Sequence, residues 1–157
     1  MIKNRKVFDC VIFFNEIDLL HLRFNILDKF VDYFVICESN FDHRGRKKKL
    51  NFDFQNFKKF EKNIIYIVVE KFPNSLHAWE RQDYQRDYLV HGLNKADLND
   101  IILFSDVDEI PNLEDNIDKI INNLDKVGIF NQKVFYFKLN LRVMDYEKWE
   151  GTKVLLK

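Results

Sequence analysis

The feature that most constrains the fold is a set of short apolar segments separated by longer stretches with helical spacing. Residues 64–69 are six consecutive β-branched or aromatic side chains, and residues 101–104 are equally apolar. Residues 7–14 form a third such segment, interrupted only by Asp9. A strand without a polar face must be covered on both sides, which is typical of parallel sheets packed between helices. These segments therefore predict buried strands of an α/β protein, with residues 7–14 as a first, central strand.

The intervening stretches predict helices and further strands. Apolar side chains recur three or four positions apart at residues 17–30 and 113–124, which indicates helices there. Phe52, Phe57 and Phe60 suggest a short amphipathic helix at residues 52–60, and residues 78–93 are predicted to form a helix with a polar face. Aromatic, β-branched or alternating patterns indicate two more strands, at residues 32–37 and 134–143. Because strand and helix alternate repeatedly, we predict a single domain over residues 1–157, of the α/β class, with a mainly parallel sheet flanked by helices.

The composition supports one folded core. The chain has 157 residues, of which 46% are hydrophobic, and sixteen phenylalanines supply enough apolar surface to offset the ordering entropy. No run approaches the roughly 18 apolar residues of a membrane-spanning helix, and the first residues lack the features of a signal peptide. We therefore expect a soluble, cytoplasmic domain without a transmembrane segment. Cys10 and Cys37 lie in apolar runs and are expected to be buried.

The charge balance argues against one large class of partner. The chain carries 25 basic and 25 acidic residues, whereas nucleic-acid binders have a basic excess because phosphate contacts dominate their affinity. We therefore expect no nucleic-acid partner. The basic run at residues 44–49 is interpreted either as a solvated loop or as a cover over an anionic ligand.

The acidic turn at residues 106–109 has the most chemical content. It directly follows the apolar segment 101–104, and ligands of open α/β sheets bind beyond the carboxyl ends of strands. The carboxylates of Asp106 and Asp108, one residue apart, can converge on one cation. Mg²⁺ and Mn²⁺ prefer oxygen ligands and accept substrate phosphates as the remaining ones. Such a metal offsets the negative charge of a departing nucleoside diphosphate.

Two other interpretations start from the same acidic turn. Asp-X-Asp is common in solvated acidic loops, and the motif alone does not separate such a loop from a metal site. Phosphatases of the haloacid dehalogenase type also place Asp-X-Asp after an apolar strand, as nucleophile and general acid. In that family the motif opens the domain, whereas here it lies late in the chain and too few residues follow it.

Four motifs occur in order along the chain: residues 9–20 with Arg23 and Leu27, residues 31–40, residues 79–82 with Arg86, and residues 101–111. Together these four blocks resemble glycosyltransferase family 17. The last block is the closest match and reads Ile101-Ile102-Leu103-Phe104-Ser105-Asp106-Val107-Asp108-Glu109-Ile110-Pro111. Weaker similarity continues through Tyr136, residues 139–142 and residues 149–152. The ordered set is far more specific than any single block.

The resemblance implies a Rossmann-like fold of the GT-A type and a specific reaction. That reaction is metal-dependent, inverting transfer of N-acetylglucosamine from UDP-N-acetylglucosamine to a hydroxyl of a glycan or glycoconjugate acceptor. The resemblance also implies that Asp106 and Asp108 bind Mn²⁺ or Mg²⁺ and the donor diphosphate. Glu109 belongs to the same motif, and we expect it to orient its neighbours as readily as to bind.

Further candidates for binding the nucleotide-sugar follow the first two predicted strands. Asn15 and Glu16 follow the first strand, where they either contact the nucleoside or cap and begin the next helix. Glu38 and Ser39 end the second strand, where they either meet uracil or ribose or begin a polar loop. All four residues are predicted at the edge of the sheet that binds ligands.

Other candidates come from the predicted helix 78–93 and from the tryptophans. Arg81 and Arg86 lie five residues apart, at different angles on one helix, and guanidinium groups suit a diphosphate. The alternative is a surface salt bridge with Glu80, Asp83 or Asp87. Trp79 and Trp149 are candidates for stacking on sugar rings, with core packing favoured for Trp79.

An inverting transfer also needs a general base for the proton of the acceptor hydroxyl. The acids after residue 125 are Asp145, Glu147 and Glu150, and none of them is singled out. Members of the family are generally much longer, so we expect the donor-binding part of a larger enzyme or a truncated homologue. The alternative function is a non-catalytic nucleotide-sugar-binding module that needs additional chain for acceptor binding and for the base.

Overall fold

The strands of this protein form one mixed, mainly parallel sheet. A computed structural model describes residues 5–123, 127–136, 141–143 and 148–157. The strands are β1 (Val7–Phe13), β2 (Tyr33–Ser39), β3 (Ile64–Val69), β4 (Ile101–Ser105), β5 (Val127–Gln132) and β6 (Trp149–Leu156). Their order in the sheet is β3-β2-β1-β4-β6-β5. Strands β3, β2, β1 and β4 are parallel, and β6 is antiparallel to both of its neighbours.

The helices cover both faces of this sheet, which confirms the predicted α/β class. They are α1 (Ile17–Leu27), α2 (Ala78–Tyr88) and α3 (Ile117–Asn123), with 3-10 helices at Phe54–Asn63 and Leu89–Gly92. Helix α2 is shorter than the predicted 78–93 because the chain tightens into the second 3-10 helix. Within the described part of the chain, no helix is long and apolar enough to cross a membrane.

Two local predictions were wrong. Asn15 is not the N-cap of α1, because Glu16 occupies that position and makes no side-chain capping bond. The segment 134–143 is not a sheet strand in its described residues, and residues 137–140 lie outside them. Its two halves bond to each other instead, with the amide of Val143 donating to the carbonyl of Val134 at 2.9 Å. An alternating pattern fits such a local reversal as well as one straight strand.

Alternate side chains of β1 serve two separate cores. One core packs α1 and the first 3-10 helix on the sheet through phenylalanine rings, with the Phe24 and Phe34 centroids 4.0 Å apart. The other core lies under α2 and includes Phe8, Cys10 and Cys37. This arrangement explains the near-absence of polar residues in the central strands, since burial on both faces leaves few polar positions.

Both cysteines are buried free thiols, as expected. Burial, followed by the nearby Glu38 carboxylate, raises the pKa of Cys37 to about 12. Burial and the adjacent Asp9 raise the pKa of Cys10 well above its usual value. Because the thiolate is the reactive form, we expect neither thiol to react with a disulfide reagent at pH 8 in the native protein. Both should react on unfolding in urea, and fast labelling of either thiol in the native state would contradict this.

Candidate functional site

A cavity opens at the carboxyl ends of β1 and β4, where the order of strands reverses. The chain passes from β1 to β2 on one side, and β4 lies on the other side of β1. In open α/β sheets this reversal is the usual position of a ligand site. The cavity has a volume of about 190 Å³. The polar and aromatic residues on its wall are Phe13, Phe14, Glu16, His43, Gln82, Gln85, Asp106 and Asp108.

Arg23 holds the acidic turn in place from inside the core. Its side chain is fully buried, and its Nε and Nη2 donate to the two carboxylate oxygens of Asp9 at 2.7 Å each. Its Nη1 donates to three carbonyls of the turn, those of Asp106, Val107 and Glu109, at 3.0–3.3 Å. The backbone of the acidic turn is therefore fixed by a buried ion pair.

Glu109 and strand β6 fix the same turn from the other side. The Glu109 carboxylate accepts from the amide of Asp106 at 3.2 Å and from Nε1 of Trp149 at 2.7 Å. The hydroxyl of Thr152 donates to the Glu109 carbonyl at 2.7 Å. Glu109 therefore orients its neighbours, which is one of the two roles expected for it.

Helix α2 lies against the strand ends and brings Arg86 to Asp106. Its buried Gln85 donates to the carbonyls of Cys37 at 2.7 Å and Phe13 at 3.4 Å, which ties the helix to β2 and β1. At the next position of the helix, Nη2 of Arg86 lies 2.9 and 3.0 Å from the two carboxylate oxygens of Asp106. Arg86 also donates to Asp83 at 3.1 Å, so the predicted surface salt bridge is present as well.

The structure places Glu16 on the cavity wall and Asn15 outside it. The Glu16 carboxylate accepts from the amides of Phe14 and Asn15 at 3.0 Å each, which folds it back over the end of β1. Asn15 is exposed. The structure therefore brings Glu16 together with Asp106 and Asp108.

Glu38 and Ser39 lie beneath the loop that follows β2 and not on the cavity wall. Glu38 is fully buried and accepts from Lys48 Nζ, the amides of Asn51 and Phe52, and the Tyr66 hydroxyl. Burial and the bond to Glu38 raise the pKa of Tyr66 well above its usual value.

Ser39 is likewise buried, and its neighbour Asn40 offers a free acceptor. The Ser39 hydroxyl donates to the carbonyl of Val69 at 3.3 Å and accepts from the amide of Phe41. By contrast, Asn40 Oδ1 is buried without a hydrogen-bond partner in the described part of the chain. Contacts of Glu38 and Ser39 with a nucleoside stay a prediction.

Arg81 positions the loop residue His43. Its Nη1 donates to the His43 carbonyl at 3.0 Å, and the His43 ring stacks on Phe14 with centroids 5.8 Å apart. Gly45 has a φ of +80°, a left-handed conformation that favours glycine, and it lies against the Arg81 guanidinium, which would be 2.9 Å from a Cβ built there. Lys48 of the basic run at residues 44–49 pairs with Glu38, so at least one charge of this run is neutralised within the protein.

Both tryptophans and the candidate base Glu150 are exposed. Trp79 is 77% exposed, so the favoured prediction of core packing was wrong. Trp149 is 46% exposed at the start of β6, with its indole nitrogen held by Glu109. Glu150 is exposed, whereas Asp145 and Glu147 lie outside the described residues.

Sequence reasoning missed the positioning residues Arg23 and Gln85. A signal for Arg23 exists, because it shares the apolar face of α1 with Leu20, Phe24 and Leu27. Asp9 is likewise the lone charge in an apolar strand. Two opposite charges on otherwise apolar faces indicate a buried pair, since an unpaired buried charge is too costly.

The carboxylates of Asp106 and Asp108 fit an incomplete metal site. Among the described residues there is no group of three or more His, Cys, Asp or Glu side chains arranged to hold a metal. Two carboxylates on one turn suit a hard divalent cation that takes its remaining oxygens from phosphates and water. The Mn²⁺ or Mg²⁺ site stays a prediction, and its chemistry fits the donor set present.

These features define an α/β protein with a cavity at the reversal of strand order and two carboxylates on the cavity wall. The chain belongs to glycosyltransferase family 17, whose family model matches residues 1–153. It is 32% identical over 117 residues to the beta-1,4-mannosyl-glycoprotein 4-beta-N-acetylglucosaminyltransferases of Homo sapiens, Rattus norvegicus and Mus musculus. The match covers 68% of this chain and 22% of each relative. The resemblance drawn from the sequence is therefore confirmed.

Proposed function

We propose that this chain is the donor-binding part of a GT-A-type glycosyltransferase. The proposed enzyme transfers N-acetylglucosamine from UDP-N-acetylglucosamine, with inversion, to a hydroxyl of a glycan or glycoconjugate. The names of the relatives and the family membership support the sugar and the acceptor class. The observation that carries the proposal is the position of Asp106 and Asp108, on the wall of the cavity where the strand order reverses.

The dimensions of the cavity suggest which part of the donor it receives. Its volume of about 190 Å³ is below the roughly 300–1,000 Å³ that is usual for small-molecule sites. We therefore place the diphosphate in the cavity, near the acidic turn and Arg86. The nucleoside then extends past the carboxyl end of β2, which neighbours β1 in the sheet.

The chain's own residues supply binding and orientation. A divalent cation, when bound, stabilises the charge on the leaving diphosphate. Asp106 and Asp108 would hold this cation, while Arg23 and Glu109 keep the acidic turn rigid. During transfer the acceptor oxygen bonds to the sugar C1 as the bond from C1 to the UDP oxygen breaks, and the acceptor proton passes to a base. The candidates for that base are Asp145, Glu147 and Glu150, of which Glu150 lies among the residues that the structure describes.

Replacing Asp106 with asparagine tests this proposal. Calorimetry with Mn²⁺ present should show UDP binding to the wild type and binding at least about tenfold weaker, or 1.4 kcal/mol, to the variant. Asparagine keeps the shape of the side chain and removes its charge, so the loss reports the metal–diphosphate interaction. Radiolabelled UDP-N-acetylglucosamine should also be hydrolysed slowly by the wild type and not by the variant.

The matched control is Asp118→Asn, which removes an exposed carboxylate from α3 and should leave UDP affinity unchanged. Tight UDP binding without any turnover would favour the non-catalytic nucleotide-sugar-binding module. Absence of UDP binding to the wild type in the presence of metal would refute both functions.

A further inference from the structure

The Asp106 carboxylate already has a cationic partner. Arg86 reaches both of its oxygens, with Nη2 at 2.9 and 3.0 Å and Nε at 3.3 Å from Oδ1. Asp108, which is exposed, has no ion pair among the described residues. The two carboxylates proposed to share a metal are therefore unequal, because one is open and the other is covered by a guanidinium.

The backbone of Asp106 is held independently of its side chain. Its carbonyl accepts from Arg23 Nη1 at 3.2 Å, and its amide donates to the Glu109 carboxylate at 3.2 Å. Neither bond involves the Asp106 carboxylate. The carboxylate can therefore exchange its partner while the acidic turn keeps its shape.

Arg86 is able to leave Asp106 without becoming unpaired. Its Nη1 also contacts Asp83, which lies on the same helix and has a side chain 70% exposed. The Arg86 side chain is itself 26% exposed and lies at the edge of the site. The guanidinium thus bridges Asp106 in the site and Asp83 on the helix surface. When Arg86 releases Asp106, its contact with Asp83 remains.

Electrostatics make a divalent cation and Arg86 competitors for Asp106. Two cations on one carboxylate repel each other, and the guanidinium covers both oxygens that a metal would use. Without metal, the carboxylates of Asp106, Asp108 and Glu16 outnumber the one guanidinium, so the site is negative and opposes a diphosphate. A bound divalent cation offsets this negative charge, and a diphosphate offers Arg86 a bidentate anion.

We infer that Arg86 occupies the metal position on Asp106 until a divalent cation displaces it, and that it then binds the donor diphosphate. Metal binding therefore precedes tight donor binding, and Arg86 is the binding residue that couples the two events. This inference rests on the proposed function, because it requires a metal at Asp106 and Asp108.

The inference predicts opposite effects of one substitution on two ligands. In Arg86→Gln the competitor is removed, so Mn²⁺ alone should bind about threefold tighter or better. The same variant lacks the cation that receives the diphosphate, so UDP in saturating Mn²⁺ should bind at least about tenfold more weakly. Arg86→Lys keeps the charge without the planar fork and should give intermediate values for both ligands.

The experiment measures free Mn²⁺ by electron paramagnetic resonance, and UDP binding by calorimetry with and without Mn²⁺. Lys59→Gln is the control for net charge, since it removes an exposed cation that is paired with Asp28 on the protein surface. It should change neither affinity, and circular dichroism should show that every variant is folded.

Each outcome has a distinct meaning. Unchanged or weaker Mn²⁺ binding in Arg86→Gln, with normal binding in the wild type, would overturn the competition between Arg86 and the metal. Tighter Mn²⁺ binding with unchanged UDP affinity would overturn the transfer of Arg86 to the diphosphate. If the wild type binds no Mn²⁺, the proposed metal site itself is refuted, and the inference with it.

Discussion

Replacement of Arg23 with methionine is expected to lower the free energy of unfolding by about 3–5 kcal/mol. Methionine fills much of the space of the arginine side chain but leaves the fully buried Asp9 carboxylate without a counter-charge. The Ser105 hydroxyl loses its 2.6 Å contact, and three carbonyls of the acidic turn lose their donor. The uncompensated charge is the larger cost, because desolvated carboxylates are far more expensive than unpaired carbonyls.

Urea denaturation followed by circular dichroism measures this loss. The control is Lys29→Met, which breaks the exposed pair with Glu114 and should cost at most about 1 kcal/mol. The double variant Asp9→Leu with Arg23→Met removes both buried charges and should recover part of the stability. Equal, small losses in Arg23→Met and Lys29→Met would show that the buried pair does not support the fold.

The strands with continuous apolar runs could be predicted from the sequence. Strand β3 was predicted with its observed limits, residues 64–69, since all its side chains are apolar or aromatic. It is nevertheless the edge strand of the sheet, and five of its six residues are half-buried. Strand β5 was missed because its residues alternate between exposed and half-buried and include Gly128 and Asn131. Its place in the sheet depends on antiparallel pairing with β6, a long-range contact without a local signature.

The candidate site was predictable where side chains follow a strand and project into open space. Asp106, Asp108 and Glu16 meet this condition and share one cavity wall. Glu38 also follows an apolar strand, yet it is enclosed by a loop that contributes donors from positions ten to fourteen residues later. The sequence identifies which carboxylates end strands, but it does not show which of them the following loop covers.

Glu38→Gln is expected to lower the free energy of unfolding by about 2–4 kcal/mol. The carboxylate accepts from four donors, and glutamine replaces one acceptor oxygen with a fifth donor. At least one pair of donors then faces each other in a fully buried position, and Lys48 loses its counter-charge. The loop after β2 should detach more readily, so trypsin should cleave within the basic run at residues 44–49 faster than in the wild type.

Stability, proteolysis and UDP affinity together separate a structural role of Glu38 from a nucleoside contact. If Glu38 holds the loop, Glu38→Gln lowers stability and speeds cleavage. UDP affinity then falls only through displacement of His43, which lies on the cavity wall. Glu114→Gln, at an exposed carboxylate, should change none of the three measurements. Unchanged stability and cleavage with UDP binding at least about tenfold weaker would assign Glu38 to the nucleoside instead. We expect the first outcome, because every carboxylate oxygen of Glu38 is already bonded within the protein.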